Sequence, residues 1–196
     1  MNKKLVALLM AGAMIAGNAM AVMADETEAE TTDSSEVTEV EFDETTASYE
    51  GTWVPFEAGF QLYIPSDWNI MEVSEENAAN GIVFQSGAAD DSGWNMAVTA
   101  TALPEEYDIE TLAAELDATY PGVQTAVFND IEVAAYAIED QAVMGIAFLD
   151  ADGNMYTVTA GPTSDEEFTQ VGSEMLYSLS IADTTEAETE AETAAE

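Results

Sequence analysis

The sequence predicts an α+β fold: a mostly antiparallel sheet with helices packed on its faces, an α/β/α sandwich, flanked by disordered acidic tails. Three observations carry this prediction. Short apolar runs of period two fill the first half and return between residues 131 and 161, two later segments repeat at helical spacing, and both ends are acid-rich and poor in large apolar groups. With 196 residues, 47% hydrophobic and 9% aromatic, the chain has enough apolar matter for one domain core.

Lys3 and Lys4 are the only basic side chains, and an apolar run from Leu5 to Ala24 follows them, interrupted by Asn18. It closes on two small-x-small triplets, Ala19-Met20-Ala21 and Val22-Met23-Ala24. Charge, then apolar stretch, then small residues is the plan of a secretory signal peptide over residues 1–24, with Ala24 the favoured cleavage point and Ala21 the second. An uncleaved membrane anchor is the competing reading, since the run approaches bilayer-spanning length. The chain has no cysteine, so a thiol-linked lipid is excluded. The expected location is secreted or associated with the cell envelope, without stable membrane insertion after cleavage.

Loss of the leader would remove both lysines and leave 40 acids with no Lys, Arg, His or Cys. Nucleic-acid binding needs cations to displace counterions from phosphates, so it is excluded, and anionic lipid surfaces repel such a chain. Thiol and imidazole nucleophile pairs, lysine Schiff bases and thiolate or imidazole metal sites are excluded by inventory. Stability must come from packing without disulfides.

Residues 25–48, "DETEAETTDSSEVTEVEFDETTAS", read as a disordered acidic linker, and residues 183–196, "DTTEAETEAETAAE", as a disordered acidic tail. Either serves to solubilise, to space the domain from an anionic envelope, or to collect cations. Between them, residues 49–182 are patterned as a globular domain.

Within it, "FQLYIP" alternates Phe60, Leu62 and Ile64 against Gln61 and Tyr63, a strand stopped by Pro65. "WNIMEV" from Trp68 and "GIVFQS" from Gly81 follow as short strands. "WNMAVTATA" puts Trp94, Met96, Val98 and Ala100 on one face and Asn95, Thr99 and Thr101 on the other. In "DIETLAAELDATYPG" the period changes: Ile109, Leu112, Ala113, Leu116 and Tyr120 fall on one helical stripe, Asp108 is the N-cap, and Pro121-Gly122 ends it. "IEVAAYAIE" and "QAVMGIAFLD" are strands joined near Asp140, and "NMYTVTAG" follows a turn at Asp152-Gly153. The middle strand is apolar on both faces and so requires cover on both. In "SDEEFTQVGSEMLYSLSI", Ser164 and Glu167 form a capping-box pair, and Phe168, Val171, Met175 and Leu179 mark a second amphipathic helix.

The Pro-x-x-Trp corner of "FQLYIPSDW" (Pro65, Trp68), a strand pair, a helix, a three-strand meander with an Asp-Gly hairpin and a closing helix "MLYSLSI" resemble the PsbP-like superfamily over about residues 56–182. That family includes extrinsic proteins of photosystem II and exported bacterial proteins. The resemblance implies an α/β/α sandwich and a non-catalytic accessory or protein-binding role. It carries no functional residue to this chain, which lacks basic residues in the domain.

Three function classes follow. The first is an exported non-catalytic binding module, a monomer whose partner is an extracellular protein or glycan. Its candidate ligand-binding residues are Trp53, Trp68 and Trp94, which can stack on sugar or protein and can equally fill a core. The second is a calcium-binding protein, calcium being the one cofactor this inventory allows. "DADGN" sets Asp150, Asp152 and Asn154 at the first, third and fifth positions of a loop, but glycine stands fourth (Gly153) and Gly161 twelfth, where a calcium loop wants glycine sixth and glutamate twelfth. The "ADDSGW" loop, with Asp90 and Asp91, has similar standing. The third is a small carboxylate-based hydrolase, which needs two acids with separated titrations. Asp67, Glu72, Asp90, Asp91 and Glu139 are available, but no spacing selects a pair, so no catalytic residue is assigned.

Overall fold

The computed structural model describes residues 38–90, 92–103 and 107–182. The described elements in chain order are β1 (Thr38–Val40), β2 (Gly51–Pro55), β3 (Phe60–Pro65), β4 (Trp68–Met71), α1 (Glu75–Ala79), β5 (Ile82–Ala88), β6 (Asn95–Ala102), α2 (Ile109–Thr119), β7 (Gln124–Phe128), β8 (Ile131–Ile138), β9 (Val143–Leu149), β10 (Asn154–Gly161), α3 (Glu166–Tyr177) and β11 (Ser180–Ile181). An eight-stranded sheet runs in the order β1-β7-β8-β9-β10-β6-β5-β4, beside a three-stranded sheet β11-β3-β2. Among the described residues only β1 with β7 is a parallel pair.

Strand β9 sits in the middle and explains the layering. Its Met144, Ile146 and Phe148 join a core with Leu62 of β3 and Phe168, Met175 and Leu179 from α3 and its end, so α3 and the small sheet cover one face. Ala147 and Leu149 point the other way into a second cluster with Tyr136 and Leu112, and α2 covers that face. The cover on both sides that its all-apolar sequence requires is therefore present. The first core is the larger, because it receives residues from both sheets and α3.

Local chemistry sets the connections. Pro65 closes β3 in the small sheet, and three residues later Trp68 opens β4 in the large one, its ring stacked 6.4 Å from that of Phe168. The Pro-x-x-Trp corner is thus where the chain passes between sheets. Asp108 caps α2 by accepting from the Thr111 amide at 2.8 Å, as its position predicts. The β9–β10 turn bonds Gly153 N–H to the Asp150 carbonyl, with Gly153 at φ +79°, a conformation glycine adopts without steric cost.

Four expectations are corrected. Gln124–Phe128, not foreseen as a strand, is β7, so the meander has four strands rather than three. Its signal is brief: only Ala126 and Phe128 are buried, beside exposed Gln124 and Thr125. The β7–β8 hairpin turns on Asn129 (φ 44°) and Asp130 (φ 71°), a two-residue turn with both centres left-handed, built on Asn-Asp instead of the usual Asn-Gly. Thr38–Val40 lies in the segment expected to be a disordered linker, yet forms β1 against β7, so ordered structure begins before Tyr49. The N-cap of α3 is Asp165, not Ser164: its carboxylate accepts from the Glu167 and Phe168 amides at 2.9 and 3.2 Å. A carboxylate at that position meets the helix dipole as well as the free amides, which a hydroxyl does less well. Finally, α1, capped by Ser74, occupies the gap between two predicted strands.

The expected signal peptide at 1–24, most of the acidic linker and the tail at 183–196 lie outside the described residues. Among the described residues no helix is long and apolar enough to cross a membrane.

Candidate functional site

A cavity of about 470 Å³ opens between α3 and the neighbouring ends of β8 and β9. Helix α3 lies over β9 and β10, so beside it the sheet face of β8 has to be filled by its own side chains. Sequence denies it that filling. In register with Met144 of β9 stands Ala137, whose single methyl group leaves space next to the helix. Phe128, Ala137, Met144 and Ile146 form the floor, and Thr169, Ser173, Leu176 and Tyr177 of α3 form the wall. Phe128 and Tyr177 meet edge to face at 5.1 Å and close the far end.

The rim belongs to two loops tied together. A 3₁₀ turn, Glu139–Gln141, runs into Ala142 at φ 52°, a left-handed conformation that costs a non-glycine residue about 1–2 kcal/mol. The Ala142 carbonyl accepts from Thr163 N–H at 2.6 Å, which holds the turn against the segment leading into α3. Glu139 and Asp140 project from this turn at the mouth, exposed to solvent. Two hydroxyls on the α3 wall are committed: Thr169 Oγ1 donates to the Asp165 carbonyl at 2.8 Å and Ser173 Oγ to the Thr169 carbonyl at 2.7 Å.

The three tryptophans do not form one platform. Trp68 is buried in the core, stacked with Phe168. Trp94 packs on the same phenylalanine at 5.5 Å, half-buried, and its Nε1–H donates to Asp165 at 3.2 Å. Trp53 stands apart with Phe42 and Tyr63, and its Nε1–H donates to Glu44 at 2.7 Å. The first two thus serve packing, and Trp53 lines a separate, shallow hollow with Glu44, Thr45 and Tyr63.

Asp150, Asp152 and Asn154 come together, but as a hairpin. Asp150 Oδ1 accepts from the Asp152 and Asn154 amides at 2.9 and 2.8 Å, and Oδ2 from Asn154 Nδ2 at 2.9 Å. Burial pushes the Asp150 carboxyl up, but these bonds outweigh it and hold it below its ordinary value. The donors a cation would displace are already satisfied by the turn. Among the described residues, no group of three or more Asp, Glu, His or Cys is placed to hold a metal ion.

Every described acid whose titration is displaced is displaced downward. Thr45 lowers Asp43 and Ser92 lowers Asp90, each through its hydroxyl and then its amide, and Thr111 lowers Asp108 through its amide and then its hydroxyl; the Phe168 amide and then the Trp94 indole lower Asp165. Sugar hydrolysis needs an acid held protonated, the opposite displacement. Asp67, Glu72 and Glu139 are exposed, and Asp91 lies outside the described residues.

Sequence reasoning missed the groove, naming Glu139 only as one available acid and Asp140 only as a strand junction. The signal available was the "VAAYA" of β8, a run of small side chains in a strand bound for the core.

No protein-family model matches the chain, and no curated protein matches it. The structure is similar to that of cyanobacterial PsbP. The solution structure of CyanoP from Synechocystis sp. PCC 6803 aligns with 67% of this chain and 92% of that one, at TM-score 0.48 and 13% identity. A crystal structure from Bacteroides thetaiotaomicron VPI-5482 aligns with 69% of this chain and 50% of that one, at TM-score 0.43 and 17% identity. The site is read from this chain's own residues.

Proposed function

We propose that this protein is an exported, non-catalytic binding module that holds a small, largely apolar ligand in the groove between α3 and strands β8 and β9. The observation that carries the reading is the cavity of about 470 Å³, floored by Phe128, Met144 and Ile146 and left open by the small Ala137 of β8. Its size falls within the roughly 300–1,000 Å³ of small-molecule sites, and its few polar groups are gathered at the mouth and one wall. Binding without turnover is supported by the residue inventory, which has no His, Arg or Cys, and by acids displaced toward the ionised form. Export is supported by the leader-like order of Lys3, Lys4 and the apolar run after them.

The test is a fluorescence titration of the whole protein with an uncharged naphthylamine dye, which brightens in apolar surroundings. Saturable binding at one site per chain is expected. Ala137→Phe, which fills the floor, should abolish it while the melting temperature holds or rises. Absence of saturable binding to the unmodified protein would refute the reading, as would undiminished binding to a folded Ala137→Phe variant.

A further inference from the structure

We infer that the ligand of this groove is a cationic amphiphile, an apolar body ending in a hydrogen-bond-donating ammonium head. This rests on the groove being a binding site, and it concerns the selection of the head group. The mouth offers acceptors of negative charge. Glu139 and Asp140 stand on the rim, and the chain's only bases, Lys3 and Lys4, lie outside the described residues.

The inner hydroxyls point the same way. The protons of Thr169 and Ser173 go to carbonyls of the α3 segment, so what these oxygens present to a guest is lone pairs. At these two oxygens a guest that donates is matched; a guest that only accepts is not.

The usual seat for an anion beside such a helix is also filled. Amides at the start of a helix attract negative charge, but in α3 those of Glu167 and Phe168 are taken by the Asp165 carboxylate. A carboxylate, sulfate or phosphate head would therefore lie next to two like charges with no side-chain cation to pair it, and like-charge juxtaposition rejects it. A neutral alcohol gains the apolar burial and can donate one hydrogen bond to these oxygens, but it gains nothing from the rim charge. An ammonium gains the burial, the rim charge and the acceptors.

Three compounds sharing one alkyl chain test this by displacing the uncharged dye from the whole protein at fixed ionic strength: octylammonium, octanol and octyl sulfate. Octylammonium should displace at about tenfold lower concentration than octanol, with octyl sulfate the weakest, as two exposed charge pairs allow. In Glu139→Gln/Asp140→Asn the preference for octylammonium over octanol should fall to about twofold or less. In Glu139→Lys/Asp140→Lys octyl sulfate should overtake octylammonium. Equal displacement by octylammonium and octanol overturns the inference and leaves the groove reading intact. A preference that survives in both rim variants also overturns it, because overall charge rather than the rim would then be selecting. Failure of the dye itself to bind removes the groove reading and this inference with it.

Discussion

Asn129 is the residue on which the geometry of the groove most depends. Its Oδ1 accepts from the Phe42 amide at 2.9 Å, and its Nδ2 donates to the Tyr177 and Leu179 carbonyls, both at 2.8 Å. One half-buried amide therefore ties together the chain after β1, the β7–β8 turn and the end of α3, whose Leu176 and Tyr177 wall the cavity. Replacement by glycine keeps the left-handed backbone at no steric cost and removes all three bonds. At about 1 kcal/mol net for each, the loss is about 2–3 kcal/mol, discounted slightly for partial exposure. Alanine adds the left-handed penalty of about 1 kcal/mol or more. Aspartate keeps the bond to Phe42 but turns a carboxylate oxygen toward two carbonyls, so at neutral pH it should do no better than glycine. Urea unfolding followed by tryptophan fluorescence measures each variant, and a domain of this size should lose about 2–4 °C of melting temperature per kcal/mol. Dye affinity should weaken in parallel as the helix end loosens. A cost below about 0.5 kcal/mol for Asn129→Gly, within the range of neutral surface changes, would refute the pinning role.

Other predictions follow from the opposite face, from the ionisable core and from the acidic loop. A methyl group on Gly145 would stand 2.7 Å from Cζ of the buried Tyr136 ring, which is itself stacked on Tyr120 at 5.3 Å, so Gly145→Ala should cost about 1–3 kcal/mol by overpacking, read as a lower urea midpoint. Burial, and then the neighbouring Tyr120, push the Tyr136 hydroxyl up to about 12, so its stabilising effect is whole below the ordinary value near 10 and is lost as pH rises from there through about 12. Burial raises Tyr49 in the same direction, and Tyr136→Phe should flatten, without abolishing, the alkaline loss of stability measured by melting. Calcium and magnesium at matched ionic strength should raise the melting temperature to within about 1 °C of each other, because screening of the acids does not distinguish them. A calcium excess that Asp150→Asn removes would instead establish a cation site at Asp150, Asp152 and Asn154.

Much of the fold is legible along the chain because burial leaves a period. The two-sided apolar run of β9 predicts cover on both faces, and α2 and α3 supply it. Asp108 caps where the helical stripe begins, and Asp152-Gly153 turns where two strands must meet. What escapes reading is short or borrowed. Strands β1 and β7 have too few apolar residues to announce themselves: β7 is fixed by pairing with β8, and β1 by pairing with β7. The capping assignment slips by one residue because Ser164 and Asp165 are both good caps, and it is the Asp165 carboxylate that reaches the Glu167 and Phe168 amides.

The candidate site divides along the same line. Composition alone determines what chemistry is available: a domain of acids, hydroxyls, amides and aromatics, with no imidazole, thiol or guanidinium. Which of these meet is a matter of tertiary structure. The tryptophans, alike in sequence, are parted between the main core and the Phe42–Tyr63 cluster, and the carboxylate loop is closed on its own amides. The groove arises only because Ala137 of β8 is brought beside an α3 more than twenty-five residues away, and a void is a relation between surfaces that no residue carries by itself.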